Sequence, residues 1–77
     1  MYNYNKANGV VEAFAVSAAD YAGGVLGVSN SVNFYNLVCA YKKAHKDEVD
    51  DFHLEMLNDI IHKAMAAMDA AFAKEKQ

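Results

Sequence analysis

The stretch DEVDDFHLEMLNDIIHKAMAAMDAAFAKEK, from Asp47 to Lys76, contains no proline and no glycine. Its first half carries most of its carboxylates, and residues 60–73 are then almost wholly apolar, with alanines and methionines at helical spacing. Because proline and glycine are the residues that interrupt helices, a run of this length and pattern predicts one long helix. We expect the rest of the chain to pack around the apolar face of this helix.

The composition is that of a small globular domain. The chain has 77 residues, of which 55% are hydrophobic and 22% are charged. Both fractions lie in the globular range and far from the range of disordered chains. We expect a single domain over residues 1–77. A domain of this size is only marginally stable, so it needs an efficient helical core or an oligomer that completes it.

The charges argue against nucleic acid as a direct partner. The chain has no arginine, all of its positive side chains are lysines, and its net charge is −3. Arginine is the residue that makes bidentate contacts to phosphates and bases, so we expect no direct contact with nucleic acid. We also expect no cofactor, because the spacing of Gly23, Gly24 and Gly27 fits neither a P-loop nor a dinucleotide-binding pattern.

The remaining signals favour a cytoplasmic location. Cys39 is the single cysteine, so no internal disulfide can form and a reducing compartment is the simpler assumption. The first residues lack the basic-then-apolar order of a signal peptide. The apolar stretch 10–28 approaches the length of a membrane span, but it contains Glu12 and Asp20 and lacks basic flanks. We therefore expect no membrane insertion.

The first third of the chain predicts an arm and a helix. Residues 1–8 alternate aromatic and polar side chains, which indicates an extended N-terminal arm whose tyrosines dock on the bundle or on a neighbour. Helix one should begin near residue 10 with Asn8 as its N-cap. It ends near residue 22, at Gly23 and Gly24, or continues through them to residue 28. In the second case small residues at four-residue spacing would form a ridge that lets another helix come close: Ala15, Ala19, Gly23 and Gly27.

Two further helices follow. The Ser29–Ser31 cluster predicts the cap of helix two, over about residues 31–45, and helix three then covers about residues 47–75. Helix two ends in basic residues and helix three begins with acidic ones, as the helix dipole favours. No glycine or proline separates them, so one continuous helix is the rival prediction. A rotation of the apolar stripe by about a quarter turn and the reversal of charge favour a tight turn near Lys46.

The predicted fold class is therefore all-α, a small three-helix bundle. Helix three presents an apolar arc over about half of its circumference, which is wider than one neighbouring helix can cover. In its last turns even the outer face consists of short side chains. We expect this helix, with the small residues of helix one, to contact a second copy of the chain or a partner through Met65, Met68, Phe72, Ala15, Ala19 and Gly23.

Two Asp-x-x-His pairs raise the question of a metal site. Asp50/His53 and Asp59/His62 each place a carboxylate and an imidazole on one helical face. The two histidines lie on opposite sides of the same helix, so they cannot share an ion. Glu55, Asp59 and His62 line one exposed strip, but such a strip is more often a solvated acidic face. We expect no metal ligands here.

His53 and Cys39 are explained most simply as core residues. His53 lies in the middle of the apolar arc, where a histidine is usually buried with one hydrogen bond, for example to a tyrosine hydroxyl. The functional alternative is a pH-sensitive interface. Cys39 should be a small buried hydrophobe near Tyr35, because His45 lies largely off its face and a catalytic thiol needs a nearby base. We expect no catalytic residue.

The carboxylates around the start of helix three have two explanations. They complement the positive end of the helix dipole and keep one face in water. As a functional surface, they would form a docking patch for a basic protein surface, where charge sets the association rate and the orientation. The residues of this acidic face are Asp47, Asp50, Asp51, Glu55 and Asp59.

These features favour a non-enzymatic helical module that binds another protein and forms a homodimer. One alternative is a small acidic inhibitor, of phage or mobile-element origin, that blocks the basic groove of a host nucleic-acid enzyme. Another is a structural subunit of a larger assembly such as a virion. The identity of the protein partner is not encoded in any motif of the sequence.

Overall fold

The computed structural model describes residues 3–76 and shows an all-α fold. Within these residues the helices are α1 (Tyr4–Tyr21), α2 (Val28–Ala44) and α3 (Asp51–Glu75), with a 3₁₀ turn at Ala22–Gly24 after α1. They form an elongated three-helix bundle of 47 × 18 × 16 Å. The long helix α3 packs against α1, α2 and the 3₁₀ turn, so it is the central element. No helix in this part of the chain is long and apolar enough to cross a membrane.

α1 begins earlier than predicted, and the extended arm is wrong over residues 4–8. Asn3 is the N-cap, because its Oδ1 accepts a hydrogen bond of 3.0 Å from the backbone N–H of Lys6. Asn8, the predicted cap, lies inside the helix. Tyr4, Asn5 and Lys6 are exposed whereas Ala7 is buried, and the alternation of aromatic and polar residues concealed the helix. The start of the predicted arm, residues 1 and 2, lies outside the described residues.

The chain leaves α1 at the glycines, so the continuation of helix one to residue 28 is wrong. α1 ends at Tyr21, and Gly23, Gly24 and Gly27 all have positive φ. Gly24 is buried against the backbone of α3 at Ala71, where a side chain would collide with backbone atoms. Glycine is therefore needed at position 24 both for its conformation and for this close approach.

α2 also begins earlier than predicted, and Ser31 is not its cap. Gly27 is the N-cap residue, and its carbonyl accepts a hydrogen bond of 3.1 Å from the backbone N–H of Ser31. Ser31 is fully buried, one turn inside the helix. The helix ends at Ala44 with two lysines in its last turn, in agreement with the predicted basic end.

The break between α2 and α3 lies near Lys46, as predicted, so the continuous helix is wrong. α3 begins at Asp51 rather than at 47 because Asp50 is its N-cap. Oδ1 of Asp50 accepts a hydrogen bond of 2.8 Å from the backbone N–H of His53. Asp47 therefore belongs to the connection between the helices and not to α3.

One buried core joins the three helices. Aromatic rings pack between α1 and α2, where Phe14 lies edge-on against Phe34 and Tyr41. Tyr21 stacks on Phe34 with 4.7 Å between ring centroids. The core cluster consists of Val11, Ala18, Phe34, Val38, Leu57, Ile60 and Ala64.

The alanines in the second half of α3 are partly covered within the chain itself. Ala64, Ala67 and Ala71 are buried, and α3 packs closely against both α1 and the 3₁₀ turn. The small side chains allow the turn to approach the helix backbone, as the contact at Gly24 shows. The apolar tail is thus explained in part by contacts inside the bundle.

Candidate functional site

A groove runs along the bundle between α1 and α3. One half of it, with a volume of about 390 Å³, is lined almost wholly by small residues. Ala18 and Ala67 are buried and form its floor, whereas its other alanines are exposed. The residues of this small-residue half are Ala15, Ala18, Ala19, Ala22, Gly23, Lys63, Ala66 and Ala67.

The other half of the groove carries carboxylates. Its volume is about 350 Å³, and Ala15 lines both hollows, so they adjoin at this residue; together we call them the α1–α3 groove. Phe52 is 56% exposed. Asp59 forms an exposed ion pair of 3.0 Å with Lys63. The residues of this acidic half are Ala15, Phe52, Glu55, Met56, Asp59 and Ile60.

The structure divides the predicted apolar contact face between two surfaces. Three of its residues line the α1–α3 groove: Ala15, Ala19 and Gly23. Met65 and Phe72 are not among the lining residues. They are 44% and 47% exposed and stand seven residues apart, which places them on one side of α3. Met68, on the same helix, is half-buried.

The predicted acidic face is spread over several places. Asp47 lies in the connection between α2 and α3, and Asp50 caps α3. Asp51 is exposed in the first turn of α3. Glu55 and Asp59 come together at the acidic half of the α1–α3 groove.

A polar network holds the first turns of α1 against α3. His53 is completely buried, and its Nε2 lies 3.3 Å from Oδ1 of Asn8. The Asn8 amide nitrogen lies 3.4 Å from Oε1 of Glu12, to which it donates, and this orients Oδ1 toward the histidine. A proton on Nε2 is therefore required for the bond to Asn8. Nδ1 of the same ring lies 3.8 Å from Oδ1 of Asp50.

The network differs from the hydrogen bond to a tyrosine hydroxyl that the sequence suggested for His53. Tyr4 docks on the bundle, as predicted for the tyrosines of the arm, but it does so with its ring face, 4.4 Å from the His53 ring centroid. Sequence reasoning missed Asn8 because an asparagine near a helix start predicts a cap. The spacing of Asn8 and Glu12, one helical turn apart, was the available signal.

A second hollow, of about 360 Å³, lies where the first turns of α1 meet the end of α2. In it His45 Nδ1 is 3.6 Å from Oε1 of Glu48, and the His45 ring packs on Tyr41 with 4.5 Å between centroids. Burial, and then the nearby Glu48 carboxylate, raise the pKa of Tyr41. The hollow thus brings an imidazole, a phenol and a carboxylate together. The residues that line this hollow are Asn3, Lys6, Ala7, Val10, Tyr41, His45 and Glu48.

Cys39 is half-buried in α2 and interacts with Tyr35, the neighbour that the sequence predicted. A hydrogen bond with Cys39, then the charge of its thiolate, and then burial raise the pKa of Tyr35. Cys39 is therefore only half-buried and not the buried hydrophobe that the sequence predicted.

Among residues 3–76 no group of three or more His, Cys, Asp or Glu side chains is arranged to hold a metal ion. Asp59, a member of the predicted strip, is instead paired with Lys63.

The chain matches no protein-family model, no curated protein and no solved structure. Its function is therefore inferred from the geometry of its own surfaces.

Proposed function

We propose that the protein is a non-enzymatic helical module that binds another protein through the α1–α3 groove. The observation that supports this most is the open, small-residue groove between two rigid helices. Small side chains allow a partner helix to approach closely, since the distance between packed helices depends on the side chains at the contact. The single cysteine, half-buried in α2, supports a reducing cytoplasmic location as part of this proposal.

Site-specific photo-crosslinking tests this function. A photoreactive amino acid at Ala19 or Ala66, two exposed positions in the groove, should cross-link one protein species in the cells that produce the chain. Ala40, an exposed alanine of α2 outside the groove, is the matched control. Equal cross-linking from Ala40, or none from any position, would contradict the proposal.

Self-association is a second part of the proposed function. The exposed side chains of Met65 and Phe72 lie on one side of α3, and pairing them with the same surface of a second copy would remove both from water.

The dimer is expected to depend on these two residues. A Met65→Lys/Phe72→Glu variant should sediment as a monomer at micromolar concentrations at which the unmodified chain is a dimer, because the apolar contact is replaced by charge. Leu37→Glu, which changes an exposed residue of α2, should leave the dimer intact. Sedimentation velocity measures this difference, and a strictly monomeric unmodified chain would rule out the dimer.

A further inference from the structure

We propose that the α1–α3 groove receives an α-helix of the partner protein that carries lysine or arginine at the end lying over Glu55 and Asp59. This inference rests on the proposed function, because it specifies the partner of the same groove.

A helix suits the groove better than an extended peptide. Both walls are α-helices whose interior N–H and C=O groups are already hydrogen-bonded within the helix, so an extended peptide would find no backbone partners along them. A helix satisfies its own backbone groups. From Phe52 to Ala66 along α3 the groove is roughly 21 Å long, at 1.5 Å per residue, which accommodates about four helical turns.

The small-residue half selects an apolar face of the partner helix. Its floor is formed by Ala18 and Ala67, and its other lining residues are alanines and Gly23, apart from Lys63. Medium-sized apolar side chains of the partner, such as leucine or methionine, would fill the volume of about 390 Å³ and bury these methyl groups. A large charged side chain there would lose its hydration without gaining a partner.

The acidic half sets the direction in which the partner helix lies. Glu55 and Asp59 line it. Lys63 already pairs with Asp59. Carboxylates outnumber this cation, so an added lysine or arginine is attracted, and the exposed ring of Phe52 offers it a cation–π contact.

A second copy of the chain would have to dock through a helix whose larger apolar face is already packed inside its own bundle. α2 ends in two lysines, but its apolar face at Phe34 and Val38 is buried in the bundle core. α1 and α3 form the walls of the groove themselves. We therefore assign the partner helix to a different protein, and a second copy is one outcome of the test below.

Selection from a displayed library of single-helix peptides tests this chemistry with the intact protein as the target. Ala19→Leu, which partly fills the groove, serves as the counter-target. We expect enriched peptides to combine a leucine- or alanine-rich face with lysine or arginine near one end. They should bind a Glu55→Gln/Asp59→Asn variant about tenfold more weakly and lose affinity at high salt. Asp47→Asn/Asp69→Asn, with the same change in net charge at exposed sites elsewhere, should bind them unchanged.

The outcomes separate this inference from the proposed function. Peptides that fail to bind Ala19→Leu but show no basic end would overturn the inference and leave the groove as the binding surface. Peptides that bind Ala19→Leu equally well, or no enrichment at all, would contradict both. A dimer of the unmodified chain that Ala19→Leu abolishes would identify a second copy as the occupant and overturn the inference. The substituted positions are exposed, and circular dichroism verifies that each variant folds.

Discussion

Gly24 is the residue at which the fold tolerates no side chain. Its φ is +72°, and it lies directly against the backbone of Ala71 in α3. Gly23 has a similar φ of +75° but faces open space. Gly9, in the middle of α1, also faces open space and has ordinary helical geometry. These three glycines therefore separate the effects of close contact, of backbone strain and of helix propensity.

Alanine substitutions at the three positions should differ in size and in sign. Gly24→Ala should lower the free energy of unfolding by more than about 3 kcal/mol, because strain and collision add. Gly23→Ala should lower it by about 1 kcal/mol through strain alone. Gly9→Ala should raise it by about 0.5–1 kcal/mol, since alanine is the better helix former. Urea denaturation measures all three, and equal losses at Gly23 and Gly24 would contradict the close approach of the turn to α3.

Tyr41 should make stability depend on alkaline pH. Its pKa is raised in the folded state by burial and by Glu48, above the value of about 10 expected in the unfolded chain. The folded protein thus holds this proton more tightly. The associated stabilisation is complete below about pH 10 and is lost as the pH rises through the folded-state pKa.

Tyr41→Phe removes this titration, so the variant should lose less stability than the unmodified chain between neutral pH and about pH 11. Urea denaturation at the two pH values gives the comparison. An identical loss in both proteins would show that ionisation of Tyr41 is not coupled to folding.

At the scale of the elements, α1 and α3 begin with the same kind of N-cap. Asn3 and Asp50 each use Oδ1 to accept the backbone N–H of the residue three positions later. The cap of α3 has an additional contact, since Asp50 lies 3.8 Å from the Nδ1 atom of the buried His53. The two caps are therefore expected to contribute unequally to the free energy of unfolding.

Removal of the caps should destabilise the two helices to different extents. Asp50→Ala should cost about 1–2 kcal/mol and Asn3→Ala about 0.5–1 kcal/mol, within the range known for cap residues. Asp50→Asn keeps the acceptor oxygen and should recover most of the loss. Thermal unfolding followed by circular dichroism reports these differences. If Asp50→Asn is as unstable as Asp50→Ala, charge rather than the cap hydrogen bond is the cause.

The sequence predicts elements best where its local signals are strong. The change from basic to acidic residues near Lys46 predicted the break between α2 and α3 correctly. The start of α1 was missed because residues 2–5 alternate aromatic and polar side chains, a pattern that indicates an extended segment. The serine cluster at the start of α2 was misleading, because Gly27 caps the helix with its backbone while Ser31 is buried.

At the scale of the whole molecule, the three-helix bundle follows from the number and length of the apolar segments, and the structure confirms it. The α1–α3 groove does not follow from them, because it depends on how two helices separated in sequence lie against each other. Ala15, Ala19 and Gly23 were predicted from the sequence as contact residues. That Lys63 and Ala66 of α3 lie beside them is seen only in the folded bundle. Likewise, the contact between Gly24 and the backbone of Ala71 joins residues far apart in the sequence, so the sequence alone did not predict it.

The central claim is that the α1–α3 groove is the surface that binds another protein. The affinity of the cross-linked partner for the unmodified chain, Ala19→Leu and Ala40→Leu, measured by isothermal titration calorimetry, tests it most directly. Ala19→Leu should weaken binding at least about tenfold, or about 1.4 kcal/mol, because leucine occupies the space of the partner helix. Ala40→Leu should bind as the unmodified chain does. Equal affinities for all three proteins would contradict the claim.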